Sequence, residues 1–65
     1  MNTLEVQEHL DRLNTAKQAC SEAEEIGQAA YSKACQKYAE EAFWFDENGI
    51  RYWHDRETGL ARVAL

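Results

Sequence analysis

The sequence predicts an α+β fold, in which an N-terminal helical hairpin (or one long helix) is followed by a three-stranded antiparallel β-meander. Residues 2–45 are rich in Ala, Glu, Gln, Lys and Leu and contain no proline, which favours helix. Two turn signals, Asn48-Gly49 and Asp55–Gly59, divide the remaining residues into short β-prone segments. A chain of 65 residues is short enough to predict one domain covering residues 1–65.

The helical region is predicted to begin at Asn2, because Asn2 and Glu5 have the spacing of a capping box. Apolar side chains then recur every three or four residues, as on one face of a helix. They are Val6, Leu10, Leu13, Ala16, Cys20, Ala23, Ile26, Ala30, Ala34, Tyr38 and Ala42. The middle of this stripe is mostly alanine and contains Gly27. Glycine costs about 1 kcal/mol relative to alanine inside a helix but little where a helix ends.

Gly27 leaves two architectures open. In the first, the chain turns near Gly27 into an antiparallel helical hairpin, which would place Cys20 and Cys35 roughly opposite each other. In the second, one helix of about 40 residues runs straight and packs against another chain. We favour the hairpin, because it allows a small chain to close its own core. A homodimer is compatible with either architecture.

The first part of the predicted β-meander, which covers residues 43–65, depends on Asn48-Gly49. This dipeptide is typical of a type I′ hairpin turn, since both central residues of that turn need positive φ. It would join one strand, Phe43–Glu47, to a second strand, Ile50–His54. Pairing across this turn would place alternate side chains on opposite faces of the sheet.

The second turn of the meander is predicted at Asp55–Gly59. The segment suits a type I turn with glycine in the left-handed position, and Asp55 would accept a hydrogen bond from the backbone two residues on. Asp55 would then pair with Leu60, and Leu60–Leu65 would form the third strand. One face of this meander would belong to the core. Its side chains would be Phe43, Phe45, Ile50, Tyr52, Ala61, Val63 and Leu65.

The opposite face of the predicted meander carries two tryptophans and two arginines. Trp44 would lie across from Trp53, and Trp53 across from Arg62, with Arg51 beside them. Tryptophan and arginine are the residue types that most often anchor protein interfaces. A purely structural role for these four residues is also consistent with the pattern, because cross-strand aromatic pairs and Arg–indole contacts each stabilise a hairpin by up to about 1 kcal/mol. The candidate binding residues for a protein partner or for self-association are Trp44, Trp53, Arg51 and Arg62.

One stretch of the meander resembles part of a WW domain, a family whose three-stranded sheet binds proline-rich peptides. The resemblance rests on Tyr52-Trp53-His54-Asp55 and on Glu57-Thr58-Gly59. The third strand, Leu60–Leu65, has no aromatic residue where that family places its ligand-stacking tryptophan. The resemblance therefore transfers no function to this chain.

Composition and charge limit the classes of partner. With 45% hydrophobic residues and no proline, the chain is predicted to fold. Twelve acidic and seven basic residues give a net charge of −5, which disfavours binding to nucleic-acid phosphates and to anionic membranes. Acidic clusters are predicted to be solvated helix faces, although they could also dock a basic partner. These clusters are Glu22, Glu24, Glu25, Glu40 and Glu41.

The sequence predicts a cytoplasmic protein without a catalytic or metal site. Its first residues lack the pattern of a signal peptide, and no apolar run is long enough to span a membrane. Cys20 and Cys35 are therefore expected to be reduced, and they fit no zinc-binding spacing. His9 and His54 are predicted to be surface residues. We expect no enzyme activity, cofactor, metal or small-molecule substrate. A nucleophile–base pair of Cys20 or Cys35 with His9 or His54 would need a cleft that excludes water, for which so short a chain has little room, and no phosphate-binding loop is evident.

The predicted function is a small interaction module that binds a larger protein. Compact acidic proteins of this kind are often encoded by phages and mobile elements, so an inhibitor or adaptor of a host protein is the expected role. Two alternatives remain open at this point. The Trp/Arg face could bind single-stranded nucleic acid by stacking, or the protein could be purely self-associating.

Overall fold

The computed structural model describes residues 3–64 as a helical hairpin followed by a β-hairpin. The elements are α1 (Thr3–Ile26), α2 (Gln28–Glu47), β1 (Tyr52–His54) and β2 (Ala61–Val63). The chain is therefore α+β, and it takes the hairpin rather than the single long helix. Asn2, with its predicted capping box, and Leu65, with its predicted core position, lie outside the described residues.

A single residue, Gly27, connects the two helices. Its amide donates to the Ala23 carbonyl (3.1 Å) as the last bond of α1, and its carbonyl accepts from the Tyr31 amide (3.0 Å) as the first bond of α2. Gly27 has φ 155° and ψ 170°, a conformation that is essentially restricted to glycine. The helices can reverse direction over one residue because no Cβ is present there.

The prediction of a three-stranded meander is wrong, because Phe43–Glu47 forms the last turns of α2 and not a strand. Asn48 has φ −96°, whereas a type I′ turn needs a positive value; only Gly49 is left-handed, with φ 66°. The Ile50 amide donates to Phe45 O (2.9 Å) and the Gly49 amide to Asp46 O (3.2 Å). This pair of bonds is a Schellman motif, so the Asn-Gly sequence ends a helix here.

The sheet in the described residues has two antiparallel strands, and its register is the one predicted. Trp53 lies opposite Arg62, as expected. The turn between the strands is held by Asp55, whose amide donates to Leu60 O (2.8 Å) and whose carboxylate accepts from the Glu57 amide (2.8 Å). A left-handed glycine precedes β2 at the end of this turn, which confirms the second predicted turn.

The core lies between the sheet and the part of the helical hairpin farthest from Gly27. Leu13 and Phe45 are completely buried, and Leu10 and Ala61 pack with them. Partly buried side chains surround this cluster: Tyr38, Ala42, Trp44, Ile50, Tyr52 and Val63. The predicted core position of Phe43 is wrong, because this residue projects from α2 and is 59% exposed. Phe45 is buried as predicted, but it reaches the core from a helix.

Asn14 attaches the β-hairpin to α1. Its Nδ2 donates to Ala61 O (3.2 Å), and its Oδ1 accepts from the Ala61 amide (2.6 Å). These two backbone groups lie on the open edge of β2, where no third strand pairs with them. Because Ala61 is buried, its amide and carbonyl cannot bond to water, and no neighbouring strand in the described sheet pairs with them. The Asn14 side chain supplies both hydrogen bonds instead.

Neither helix among residues 3–64 is both long enough and apolar enough to cross a membrane.

Candidate functional site

The outward face of the β-hairpin carries three of the four predicted binding residues, and we call it the hairpin face: Arg51, Trp53 and Arg62. Trp53 and Arg62 are cross-strand partners on the side of the sheet opposite Ala61 and the core. Arg51 directly precedes β1 and is exposed. Trp53 is 51% exposed, so a large part of its indole is available for contact.

Trp44 does not lie across from Trp53 as predicted, because it belongs to α2. Its indole stacks on the imidazole of His9 from α1, with ring centroids 3.7 Å apart and an interplanar angle of 11°. It also meets Phe45 edge-on at 5.1 Å. His9 is consequently half-buried, and its Nδ1 is buried without a hydrogen-bond partner, so it is not the simple surface residue expected. Trp44 is therefore a partly buried residue that packs at the edge of the core.

Arg62 is positioned by the turn that precedes its strand. Its Nε donates to the Asp55 carboxylate at 2.9 Å, while the arginine side chain stays 55% exposed. The same carboxylate accepts the amide of Glu57, and this backbone bond, followed by the contact with Arg62, lowers the pKa of Asp55. Because the bond to Asp55 uses Nε, the two terminal amino groups of Arg62 can still donate to a ligand.

Charge is distributed unevenly along the chain. Residues 48–65 contain three arginines and two carboxylates, whereas residues 1–47 contain four cations and ten carboxylates. The negative charge of the protein is therefore carried by the helices. The β-hairpin is weakly positive, and one of its arginines, Arg62, lies across from the exposed indole of Trp53.

A second candidate site is an open cleft of about 570 Å³ between the two helices and β1. We call it the thiol cleft. Its walls carry both cysteines, two tyrosines, a serine, a lysine, a glutamate and a histidine: Lys17, Cys20, Ser21, Glu24, Tyr31, Cys35, Tyr38 and His54. The Sγ atoms of Cys20 and Cys35 are 3.9 Å apart, which confirms that these residues lie opposite each other in the hairpin.

Hydrogen bonds order the rim of the thiol cleft. Tyr38 Oη and His54 Nε2 lie 3.2 Å apart, and Lys17 Nζ donates to Gly59 O. Partial desolvation, and then the positive charge of Lys17, lower the pKa of His54. Desolvation, followed by interactions with Cys35, raises the pKa of Cys20. The Cys20 thiol is therefore held in its protonated, less nucleophilic form at neutral pH.

The two cysteines of this cleft were predicted to be neighbours, but the cleft itself was not predicted. The nearly equal distance of both cysteines from Gly27 along the chain was the signal that placed them together. Lys17 precedes Cys20 by three residues on the same face of α1, whereas His54 reaches the cleft only because the β-hairpin folds back on α1, a long-range contact that has no local signature. Among residues 3–64, no group of three or more His, Cys, Asp or Glu side chains is arranged to hold a metal ion.

Comparison with protein-family models, with curated proteins and with solved structures found no match for this chain. Its function is therefore inferred from its own residues.

Proposed function

We propose that this protein is a small non-enzymatic interaction module that binds a larger protein through the hairpin face, with Trp53 as the anchor. The observation that carries the proposal is the contrast between the two tryptophans. Trp44 is packed between the helices, whereas Trp53 leaves half of its surface in water. Exposed indoles next to arginine are typical of interface hot spots, because burying them on binding removes a large apolar area from water.

The charge of the hairpin face indicates the chemistry of the partner. On an otherwise acidic protein, Arg62 lies across from Trp53 and is held in place by Asp55, and the exposed Arg51 lies two residues before Trp53 in the chain. A partner surface with an apolar pocket ringed by carboxylates would complement this arrangement. Acidic helices would repel the same partner elsewhere, so charge would also orient the complex.

An inhibitor or adaptor role needs nothing beyond this surface, because covering part of a larger protein is sufficient for either. The proposed site of action is the cytoplasm. That compartment keeps thiols such as those of Cys20 and Cys35 reduced.

The test compares the proteins that immobilised wild type, Trp53→Ala and Phe43→Ala each capture from a cell lysate. Phe43 is the matched control, since it is also an exposed aromatic residue but projects from α2. We expect Trp53→Ala to lower the capture of a specific partner at least tenfold, because truncating a hot spot costs about 2 kcal/mol or more. Phe43→Ala should leave capture unchanged, and circular dichroism should show that both variants are folded. Equal capture by wild type and Trp53→Ala would refute the proposal.

Two further measurements distinguish the alternative functions. In a Trp44→Phe background Trp53 is the sole tryptophan, so its fluorescence reports directly on the hairpin face. Quenching by a single-stranded oligonucleotide, with affinity that falls steeply as salt rises, would assign this face to nucleic acid instead. Sedimentation equilibrium that gives a dimer for wild type and a monomer for Trp53→Ala would assign it to self-association.

A further inference from the structure

The close pair of thiols in the thiol cleft is not used by the proposed binding function. Cys20 lies seven residues before Gly27 and Cys35 eight residues after it, and their Sγ atoms are 3.9 Å apart. Both residues are half-buried. The one-residue connection at Gly27 keeps the two sulfur atoms together, so each is presented to the other at high effective concentration.

Bond formation between these sulfur atoms requires only a small movement. A disulfide has an S–S distance of about 2.05 Å, so the atoms must approach by less than 2 Å, roughly the reach of a side-chain rotation with a slight helix shift. Small side chains occupy the interface on either side of the pair, at Ala16 and Ala23 in α1 and at Ala34 in α2. Alanine at these positions allows the helix backbones to move closer without a clash.

The thiol cleft gives a reagent access to the pair. It is open to solvent and, at about 570 Å³, has room for a small-molecule disulfide beside both sulfur atoms. Lys17 contributes a positive charge to the wall, Glu24 contributes a negative charge, and Tyr31 and Tyr38 contribute aromatic surface. A disulfide of peptide size that carries both ammonium and carboxylate groups, such as oxidised glutathione, fits this combination of charges.

We propose that Cys20 and Cys35 form a modification site at which a small-molecule disulfide converts the two thiols into a reversible intrachain disulfide. One cysteine loses its proton and attacks a sulfur atom of the reagent, which releases one small thiolate and leaves a mixed disulfide in the cleft. The second cysteine, also deprotonated, attacks the protein sulfur of that mixed disulfide and releases the second small thiolate. The protein gives up two electrons and two protons, and the reagent is reduced to two thiols.

Closure of this bond fixes the part of the helical hairpin nearest Gly27. The interface there is lined by alanine, whereas the large buried side chains Leu13 and Phe45 lie at the opposite end. A cross-link in this region removes chain entropy from the unfolded state and ties together the more weakly packed half of the hairpin. The oxidised protein is therefore expected to be the more heat-stable form.

The experiment treats the folded 65-residue chain with oxidised glutathione at about pH 8, where a larger fraction of thiol is deprotonated. We expect a monomer lighter by two hydrogen atoms, a peptide map that joins Cys20 to Cys35, and a Tm higher by roughly 10 °C. Dithiothreitol should reverse all three changes. A retained glutathione adduct on the wild-type chain, a cross-linked dimer, or two thiols that stay unmodified would each refute the proposal.

Single-cysteine variants separate two steps: access of the reagent to a thiol, and closure of the disulfide between Cys20 and Cys35. Cys20→Ser and Cys35→Ser each leave one thiol, so each should stop at a stable mixed disulfide with one glutathione. The double variant Cys20→Ala, Cys35→Ala should remain folded by circular dichroism and show no mass change and no Tm shift with the reagent. A Tm rise in the double variant would mean that stabilisation does not come from the cross-link.

Discussion

Trp44 of α2 and His9 of α1 stack face to face, with ring centroids 3.7 Å apart and planes 11° from parallel. The contact joins the two helices beside the core, where the same indole also meets Phe45 edge-on. The two tryptophans of the chain consequently have different roles, although their predicted positions on one sheet face suggested a shared one. Trp44 packs within the fold, whereas about half of the Trp53 side chain is exposed.

Truncation of Trp44 should therefore destabilise the protein more than truncation of Trp53. We expect Trp44→Ala to lower the free energy of unfolding by about 2 to 3 kcal/mol, because a partly buried aromatic ring loses packing against its neighbours. Trp53→Ala should cost less than about 1 kcal/mol, the worth of a cross-strand contact on an exposed face. Urea unfolding followed by circular dichroism measures both values. Equal losses would contradict the division of roles.

The double hydrogen bond between Asn14 and Ala61 should contribute strongly to docking of the β-hairpin. Asn14→Ala leaves the amide and the carbonyl of Ala61 without their partner at a buried position. The expected loss is about 2 kcal/mol of unfolding free energy. Gln18→Ala is the matched control, since the Gln18 amide only contacts Glu22 on the exposed surface of the same helix. This control should change stability by less than about 0.5 kcal/mol, and a similar loss in both variants would argue against the docking role.

The part of the fold that sequence predicted best is the turn that carries its own hydrogen bonds. Asp55 accepts the Glu57 amide and pairs with Leu60 through interactions that span at most five residues. Local chemistry of this kind fixes the register of β1 and β2 whatever the rest of the chain does. The position of Trp53 opposite Arg62 followed correctly from it.

The part that sequence could not decide is the segment from Phe43 to Gly49. Its aromatic residues favour a strand, and Asn-Gly suits both a type I′ turn and the C-terminus of a helix. The decision comes from burial: as the last turns of α2, this segment places Phe45 in the core beside Leu13. Packing across the molecule overrode local propensity, which is why the predicted pairing of Trp44 with Trp53 failed.

The two candidate sites differ in the same way, because one depends on local contacts and the other on long-range contacts. The hairpin face depends on a local register, and three of its four predicted residues keep their expected exposure. The thiol cleft depends on contacts between α1, α2 and β1, of which only the opposition of Cys20 and Cys35 followed from sequence spacing. The approach of His54 to Tyr38 follows from how the β-hairpin docks.

The pH dependence of stability should contain a contribution from His54. Its pKa in the folded protein lies below the usual 6.5, through desolvation and the charge of Lys17, with Tyr38 and Tyr52 also in contact with the ring. Protonation is therefore easier in the unfolded chain, so stability is complete above about pH 6.5 and falls as the pH drops toward the folded-state pKa. Tm measured from about pH 8 to pH 5 should fall more for wild type than for His54→Gln. Parallel curves would show that His54 does not contribute.

The one-residue connection makes Gly27 the position where a single substitution could change the architecture. Gly27→Ala places a side chain at φ 155°, which should cost about 1 to 3 kcal/mol in the hairpin. Alanine also favours helix, so the substitution lowers the free energy of a continuous helix from α1 through α2 relative to the turn. A continuous helix exposes the apolar stripe and has to pack against a second chain. We expect sedimentation equilibrium to show more dimer for Gly27→Ala than for wild type at equal concentration.

The control for this effect is Gly49→Ala, which places alanine at another left-handed position but at the end of α2. It should cost about 1 kcal/mol through backbone strain alone and should leave the association state unchanged. Cys20 and Cys35 supply an independent readout, because a continuous helix would separate them and abolish intrachain cross-linking by a short thiol-reactive reagent. Loss of stability in Gly27→Ala without dimerisation, and with intrachain cross-linking retained, would mean that core packing alone holds the hairpin closed and that glycine only relieves strain at the turn.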